Sequence, residues 1–222
     1  MTPWTRTFAC LCLLSAAACG PGPRTDQAVA VLIDVSGTYA DRKADTIDLV
    51  KRQILPDMVP GDTLCVLKID SASYDESNLV AMMTLDPRPS QANAQKLAFA
   101  QQLDRFAKRA DRARHTDIPG AIMLASEYLG EIGAGSSSIL VFSDMKTDLP
   151  PGAQRRLRDD ELTGTHVAAV NVKRLPRDTL DPDVYRERLT GWEQTVKRAG
   201  AADWRAIVDP QRLSPYLTEI RG

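Results

Sequence analysis

The sequence has few of the residues on which several classes of binding site depend. Aromatic residues make up only 5% of the 222 residues, which argues against a stacking platform for single-stranded nucleic acid. The net charge is −1, so the chain as a whole has no electrostatic bias toward nucleic acid or acidic membranes. The two histidines, His115 and His166, are far apart in sequence, and there is no CxxC pattern of a zinc site. We therefore expect no nucleic-acid partner and no zinc site of that kind.

Near its N-terminus the chain carries a short apolar stretch, FACLCLLSAAA, which is too short to cross a bilayer as a stable helix. Arg6 precedes it, and the small residues Ala16 to Ala18 end it just before Cys19. This arrangement resembles a bacterial lipoprotein signal, although Ala16 stands where that pattern usually has Leu. The resemblance implies cleavage between Ala18 and Cys19 and lipidation of Cys19. The alternative is an ordinary secretory signal that is cut at a nearby small residue.

The four cysteines do not form the pattern of a disulfide framework. Cys10 and Cys12 lie within the predicted signal peptide. If Cys19 is lipidated, Cys65 remains alone in the apolar run LCVLKI, where we expect it to be a small buried hydrophobic residue. A disulfide between Cys19 and Cys65 is the alternative.

The remaining chain has the length of one folded domain. A stretch rich in Gly and Pro, GPGPRTDQ, follows Cys19 and predicts a short tether between the anchor and the domain. We therefore predict a signal peptide at 1–18, a tether at 19–27 and one domain at 28–222.

The order of the segments within the domain indicates an α/β fold. The run AVAVLID is apolar throughout, as expected for a strand buried on both faces. Four later segments have the apolar spacing of helices and alternate with further strand-like runs. These predicted helical segments are residues 42–55, 91–113, 117–132 and 183–199. Two runs, TLCVLKI and LVAMMTL, have only a short connection and predict an antiparallel edge hairpin. The predicted fold is a Rossmann-like, doubly wound, mostly parallel sheet with one antiparallel edge strand and helices on both faces.

Polar side chains follow the first predicted strand directly, in the segment VLIDVSGTYADRK. Asp34 ends the strand, and Ser36 and Thr38 follow at two-residue intervals across a turn that contains Gly37. Ligands of open α/β sheets bind at this edge. One carboxylate and two hydroxyls form an all-oxygen set, which Mg²⁺ and Mn²⁺ prefer. The alternative is that these residues only close a turn and cap the next helix.

Two later segments extend this pattern and carry a family resemblance. Thr116 opens an amphipathic helix in HTDIPGAIMLASEYL, and Asp144 follows a strand in ILVFSDMKTD. The three segments together resemble the von Willebrand factor A domain family, also called integrin I-like domains. That family's metal-ion-dependent adhesion site has an Asp-x-Ser-x-Ser signature, then a distant Thr and a distant Asp. The resemblance covers nearly the whole mature chain, with a hydroxyl kept where Thr replaces the last Ser. It implies the metal ligands Asp34, Ser36, Thr38, Thr116 and Asp144.

In this family the ion binds an acidic residue of a partner protein, and the residues present here suit that role. Two carboxylates balance the formal charge of a divalent ion, but the neutral hydroxyls leave the ion electron-poor. The ion can therefore accept a further anionic oxygen. Hydrolysis would also require a base to activate water, and we interpret His115, beside Thr116, as a bystander. We therefore predict a protein-binding module that is not an enzyme and uses Mg²⁺ or Mn²⁺. It would be held to a membrane of the bacterial cell envelope by its lipid anchor only.

Two other functions remain open. A degenerate A domain would act without metal as a structural subunit of an envelope assembly, and Thr38 is the hint in its favour. The segment DVSGT after an apolar strand is also similar to the Asp-x-Asp-x-Thr motif of haloacid-dehalogenase-like phosphotransferases. In that comparison Ser36 replaces the second Asp and removes the general acid.

Several other polar and aromatic residues have structural interpretations. We interpret Asp117 as a charge that favours the N-terminus of a helix, and Asp148 as a loop acid. The basic stripe Arg105–Arg114 is interpreted as a solvated helix face, and Trp192 and Trp204 as packing residues.

Overall fold

The computed structural model describes residues 24–37 and 39–221. The predicted signal peptide, the predicted lipidation site Cys19 and the predicted ligand Thr38 lie outside the described residues. The strands within the described ranges are β1 (Gln27–Asp34), β2 (Thr63–Ile69), β3 (Leu79–Thr84), β4 (Ser136–Phe142), β5 (Thr165–Val170) and β6 (Asp203–Ile207). The α-helices are α1 (Lys43–Leu49), α2 (Pro89–Lys108), α3 (Ile118–Ile132), α4 (Pro176–Leu180), α5 (Pro182–Arg198) and α6 (Leu213–Glu219).

The described strands form one sheet in the order β3-β2-β1-β4-β5-β6. All neighbouring pairs are parallel except β2 and β3, which are antiparallel. This confirms the predicted fold class, including the antiparallel edge strand. From β1 the chain continues outward to β2, whereas from β4 it continues outward on the other side to β5. The order therefore reverses between β1 and β4, and the carboxyl ends of these two strands form the crevice where such sheets bind ligands.

The sheet is covered on both faces, and β1 shows how the sequence achieves this. Val31 and Ile33 point into one hydrophobic cluster, which includes side chains of α1, α2 and α6. Ala30 and Leu32 point into the other cluster, with side chains of α3 and α5. Because successive side chains of a strand point to opposite faces, a strand between two helical layers must be apolar at every position. No helix in the described ranges is long and apolar enough to cross a membrane.

The first strand includes a residue of the predicted tether. Gln27, the last residue of the predicted tether, is the first residue of β1 and is buried. Its backbone N–H donates to Asp62 Oδ1 at 2.9 Å, and its side-chain Nε2 donates to the Leu217 carbonyl at 3.2 Å. These long-range partners hold Gln27 in the sheet, so β1 includes the last residue of the predicted tether.

The helix predicted over residues 91–113 is shorter in the structure, since α2 ends at Lys108. Ala113 is instead in extended chain, and its N–H donates to the Val35 carbonyl at 2.9 Å. This segment forms a parallel bridge between Ala113 and Ser36. Pairing with the chain after β1 thus overrides helical periodicity, and it directs the following residues toward the carboxyl end of β1.

The connection from β4 to β5 is irregular. Residues 143–164, all of which the structure describes, contain no α-helix, although helices usually join parallel strands. Leu157 and Leu162 from this connection are buried in the same cluster as α3 and α5. They cover part of the sheet that a crossover helix would otherwise cover.

Candidate metal centre

Asp34 lies at the carboxyl end of β1, in the crevice between β1 and β4, and is 1% exposed. Its carboxylate accepts three hydrogen bonds. The N–H and Oγ of Ser36 donate to Oδ1 at 2.8 and 2.6 Å, and Ser143 Oγ donates to Oδ2 at 2.7 Å. Because both oxygens are engaged, the carboxylate has a fixed orientation before any ligand arrives.

Thr116 completes a chain of hydroxyl groups that ends at Asp34. Its Oγ1 lies 2.5 Å from Ser36 Oγ. Ser36 has a single hydroxyl proton, which it donates to the ionised Asp34, so Thr116 must be the donor to Ser36. The lone pairs of Thr116 Oγ1 are therefore not used in this chain and are available to a cation.

The backbone on both sides of Thr116 is firmly held. Thr116 N donates to the Asp148 carbonyl at 2.7 Å, and Asp148 N donates to the Thr116 carbonyl at 3.0 Å. The next residue, Asp117, caps α3 by accepting a hydrogen bond from Gly120 N at 2.8 Å. The structure thus confirms the interpretation of Asp117 as a helix-terminal residue. These backbone contacts hold Thr116 in place, and the hydrogen bond to Ser36 orients its hydroxyl.

Asp144 lies just beyond β4 and is half-buried. Its Oδ1 accepts a hydrogen bond from Lys146 N at 2.8 Å. The residue between them, Met145, has a φ of 61°, a left-handed conformation that is uncommon for a residue with a side chain. The Met145 carbonyl accepts a hydrogen bond from Trp192 Nε1 at 2.8 Å. Trp192 is therefore a packing residue, as predicted, but it also holds the turn that presents Asp144.

The two carboxylates influence each other electrostatically. Burial raises the pKa of Asp34; its hydrogen bonds from Ser36 and Ser143 lower that pKa, and the negative charge of Asp144 raises it. Burial also raises the pKa of Asp144, while its hydrogen bond from Lys146 N and the charge of Arg188 act in the opposite direction. The charges of Lys146 and Lys173 also lower the pKa of Asp144, but together with Arg188 they do not outweigh its burial. Buried charges are normally paired or bound to a metal, and a bound divalent cation would compensate the charge of these two carboxylates.

The donor set fits a hard divalent ion. The structure joins Asp34, Ser36 and Thr116 by hydrogen bonds, and it brings Asp144 to the same edge through its neighbour Ser143. In the part of the chain that the structure describes, no three His, Cys, Asp or Glu side chains form a metal-binding group. The predicted set differs from such a group because it combines two carboxylates with neutral hydroxyls, a chemistry that suits Mg²⁺ or Mn²⁺.

Ser143 is a residue of this site that the sequence analysis missed. Its hydroxyl donates to Asp34 and accepts a hydrogen bond from Met145 N at 3.1 Å, so it links the ends of β1 and β4. The available signal was its place between the strand SILVF and Asp144. The side chain of His115 contacts Asp148, with Nδ1 3.1 Å from Oδ2.

Comparisons with known proteins bear on the fold. No family model and no curated protein matches the chain. The D319A mutant of the PilB minor pilin from Streptococcus sanguinis aligns with a TM-score of 0.50 at 8% identity, covering 88% of this chain and 60% of the pilin. A von Willebrand factor type A structure from Catenulispora acidiphila aligns with a TM-score of 0.45 at 11% identity, covering 88% of this chain and 42% of that one. BatB from Bacteroides thetaiotaomicron aligns with a TM-score of 0.45 at 14% identity, covering 88% of this chain and 98% of BatB.

The strand order, with its reversal between β1 and β4 and its antiparallel β3, is the arrangement expected from the sequence resemblance. The domain has a von Willebrand factor A-like fold. At these identities the comparisons concern the fold alone, and this chain spans less than half of the Catenulispora structure. What the A-like domain binds must therefore be argued from its own residues.

Proposed function

We propose that this chain is a metal-dependent protein-binding module of the bacterial cell envelope, anchored to a membrane by a lipid on Cys19. The observation that carries the proposal is the hydrogen-bonded chain from Thr116 through Ser36 to Asp34, next to the second carboxylate of Asp144. These residues and Thr38 would hold Mg²⁺ or Mn²⁺.

The residues of the site suit binding rather than hydrolysis. When bound, the ion would supply a positive centre that accepts a carboxylate oxygen from a partner protein. Asp34 and Asp144 provide the negative charge that holds the ion, and the hydroxyls of Ser36 and Thr116 add oxygen ligands without further charge. Hydrolysis would also need a positioned general base, and the side-chain hydrogen bonds of Asp34, Ser36 and Thr116 in the described residues involve no histidine.

Thermal unfolding of the purified full-length chain with Mg²⁺, Mn²⁺ or a chelator tests the metal site. A ligand that binds only the native state stabilises it by about 2.7 kcal/mol at a hundred times its Kd. For a domain of this size that corresponds to a rise in Tm of about 5–10 °C. We expect such a rise with at least one of the two ions.

Two variants make this experiment specific. Asp34→Ala should abolish the rise in Tm, because it removes the buried carboxylate ligand. Asp148→Ala changes the charge equally at the same edge of the sheet, but Asp148 is exposed and pairs with His115, so this variant should keep the rise. No rise for the unmodified chain with either ion would sink the metal site and favour a metal-free structural subunit. Turnover of a generic phosphate ester would instead favour the phosphotransferase alternative.

The anchor and the partner require separate measurements. Labelled palmitate should enter the chain in bacteria, and Cys19→Ala should prevent this. Crosslinking and pull-down from membranes should recover a protein partner in the presence of Mg²⁺ and lose it with a chelator. Recovery that is unchanged by the chelator would show that the partner binds without the metal.

A further inference from the structure

A groove lies beside the candidate metal centre, between the N-terminus of α3 and one face of α5. Its volume is about 560 Å³. The apolar part of its lining comes from Pro119, Leu157 and Trp192. The groove also contacts Met145 and Lys146, the two residues that directly follow Asp144. A molecule in the groove would therefore lie next to any group that reached the metal centre.

The lining of the groove is strongly basic, although the whole chain has a net charge of −1. Two of its cations are neutralised within the domain: Arg188 by Asp178 at 2.5 Å, and Arg155 by Asp117 at 3.3 Å. Three others form no ion pair with any residue in the described ranges: Lys146, Arg156 and Arg198. Glu187 is the single acid in the lining. An excess of positive charge thus remains along the groove.

The groove owes its existence to the irregular connection between β4 and β5. In a doubly wound sheet, a crossover helix after β4 would normally pack on this face between its neighbouring helices. Here residues 143–164 replace that helix with extended chain and turns. Leu157 and Leu162 of this connection are buried, and Leu157 forms part of the groove lining.

We propose that this basic groove binds an acidic segment of the partner protein. This inference rests on the proposed protein-binding function, but it does not require the metal. Carboxylates of the segment would pair with Lys146, Arg156 and Arg198, and its apolar side chains would pack on Leu157 and Trp192. The groove would determine the specificity for the partner. It would favour a partner in which a run of acidic residues lies beside the carboxylate that the partner supplies to the metal.

The lining favours an acidic peptide over a nucleic acid. Binding of single strands uses exposed aromatic rings on which bases stack. Trp192, the aromatic residue in the groove lining, is only 9% exposed and donates its Nε1–H to the Met145 carbonyl. Three cations within one short groove also match a few carboxylates better than the long phosphate track that nucleic-acid binding neutralises.

Fluorescence anisotropy with the purified full-length chain tests the proposal. The probe is a fluorescein-labelled peptide of ten glutamates, and a labelled Gly-Ser peptide of the same length is the uncharged comparison. The glutamate peptide should bind in both chelator and Mg²⁺, and its binding should weaken as salt increases. The double variant Arg156→Glu/Arg198→Glu should raise its Kd about tenfold or more.

A matched control reverses two charges elsewhere on the molecule. Arg52 and Arg105 are exposed on the opposite face of the sheet, so Arg52→Glu/Arg105→Glu makes the same change in net charge away from the groove. This control should leave the Kd of the glutamate peptide within about twofold. Equal weakening by both double variants would overturn the proposal, as would the absence of binding by the unmodified chain. Tighter binding of a ten-nucleotide single strand than of the peptide would overturn it in favour of a nucleic acid.

The two proposals fail separately in these experiments. Peptide binding that survives in Asp34→Ala, together with loss of the Mg²⁺-dependent rise in Tm, would support both the groove and the metal centre. A rise in Tm without peptide binding would leave the metal centre and remove the groove. Peptide binding without any rise in Tm would leave the groove and remove the metal centre.

Discussion

The hydroxyl oxygen of Ser36 lies 2.5 Å from that of Thr116, although 80 positions separate the two residues in the chain. Thr116 donates this hydrogen bond, because Ser36 donates its own proton to Asp34. The contact connects the turn after β1 with the segment before α3, and it joins the Thr116 hydroxyl to Asp34 through Ser36.

Two substitutions of Thr116 distinguish the contribution of its hydroxyl from that of its size. Thr116→Val has nearly the same shape but removes the hydroxyl, and we expect it to lose most of the Mg²⁺-dependent rise in Tm. Without metal it should lose only about 0.5–1.5 kcal/mol, the net value of one hydrogen bond. Thr116→Ser keeps the hydroxyl and should keep most of the rise. Thermal unfolding with and without Mg²⁺ measures both, and an undiminished rise in Thr116→Val would show that Thr116 is not a ligand.

The buried carboxylate of Asp34 should make the metal-free protein less stable as pH rises. Burial raises its pKa in the folded state above the usual 3.8, so the folded state holds its proton over a range in which the unfolded state has lost it. The free energy of unfolding therefore falls as pH rises from the unfolded-state pKa through the folded-state pKa of Asp34. Above the folded-state pKa this contribution no longer changes with pH. Asp34→Asn removes this titration, so its stability relative to the unmodified chain should increase from about pH 4 toward neutral. Urea unfolding in chelator across this pH range measures the difference in the free energy of unfolding between Asp34→Asn and the unmodified chain. A difference that shrinks with rising pH would contradict the expectation.

Two glycines of α3 should respond in opposite directions to the same substitution. A Cβ on Gly120 would lie 2.3 Å from Asp117 Oδ2, so Gly120→Ala must displace the residue that caps the helix. We expect a loss of about 1–3 kcal/mol. A Cβ on Gly130 would meet nothing within 4 Å, so Gly130→Ala should raise stability by up to about 1 kcal/mol through helix propensity. Denaturant unfolding compares the two, and equal effects would mean that Asp117 moves aside without cost.

Trp192 and Trp204 should differ in their effect on the metal centre. Trp192→Phe removes the hydrogen bond to the Met145 carbonyl and frees the turn that presents Asp144. It should lower both stability and Mg²⁺ affinity. Trp204 packs against the cluster that includes α3 and α5, and Trp204→Phe should lower stability without lowering affinity. Calorimetric titration with Mg²⁺ distinguishes them, and equal affinities of the two variants would show that the Trp192 hydrogen bond does not position Asp144.

Much of the fold could be predicted because it depends on local patterns. The apolar run of β1 predicts a strand between two layers, and the short connection between β2 and β3 predicts their antiparallel pairing. Burial of Cys65 followed from its apolar surroundings, and it is fully buried, with its pKa raised to about 12. The contact between Asp34 and Ser36 is equally local, because donor and acceptor are only two positions apart in the chain.

Other features escaped prediction because they depend on distant partners. The segment after Lys108 continues a helical pattern, yet Ala113 N–H donates to the Val35 carbonyl. Val35 is buried, and a buried carbonyl without a partner would be costly. The short helix α4 was not predicted, and the role of Ser143 depends on the register of β4 beside β1.

By itself the sequence determined the kinds of elements, their order and the chemistry of the candidate ligands, because those follow from periodicity and residue type. Only the tertiary structure decided that Thr116 donates to Ser36, that Ser143 joins the site, and that a basic groove remains where a crossover helix is missing. The physical reason is that hydrogen bonds and grooves form between segments far apart in the chain. Their geometry depends on strand register and helix packing, which no local pattern contains.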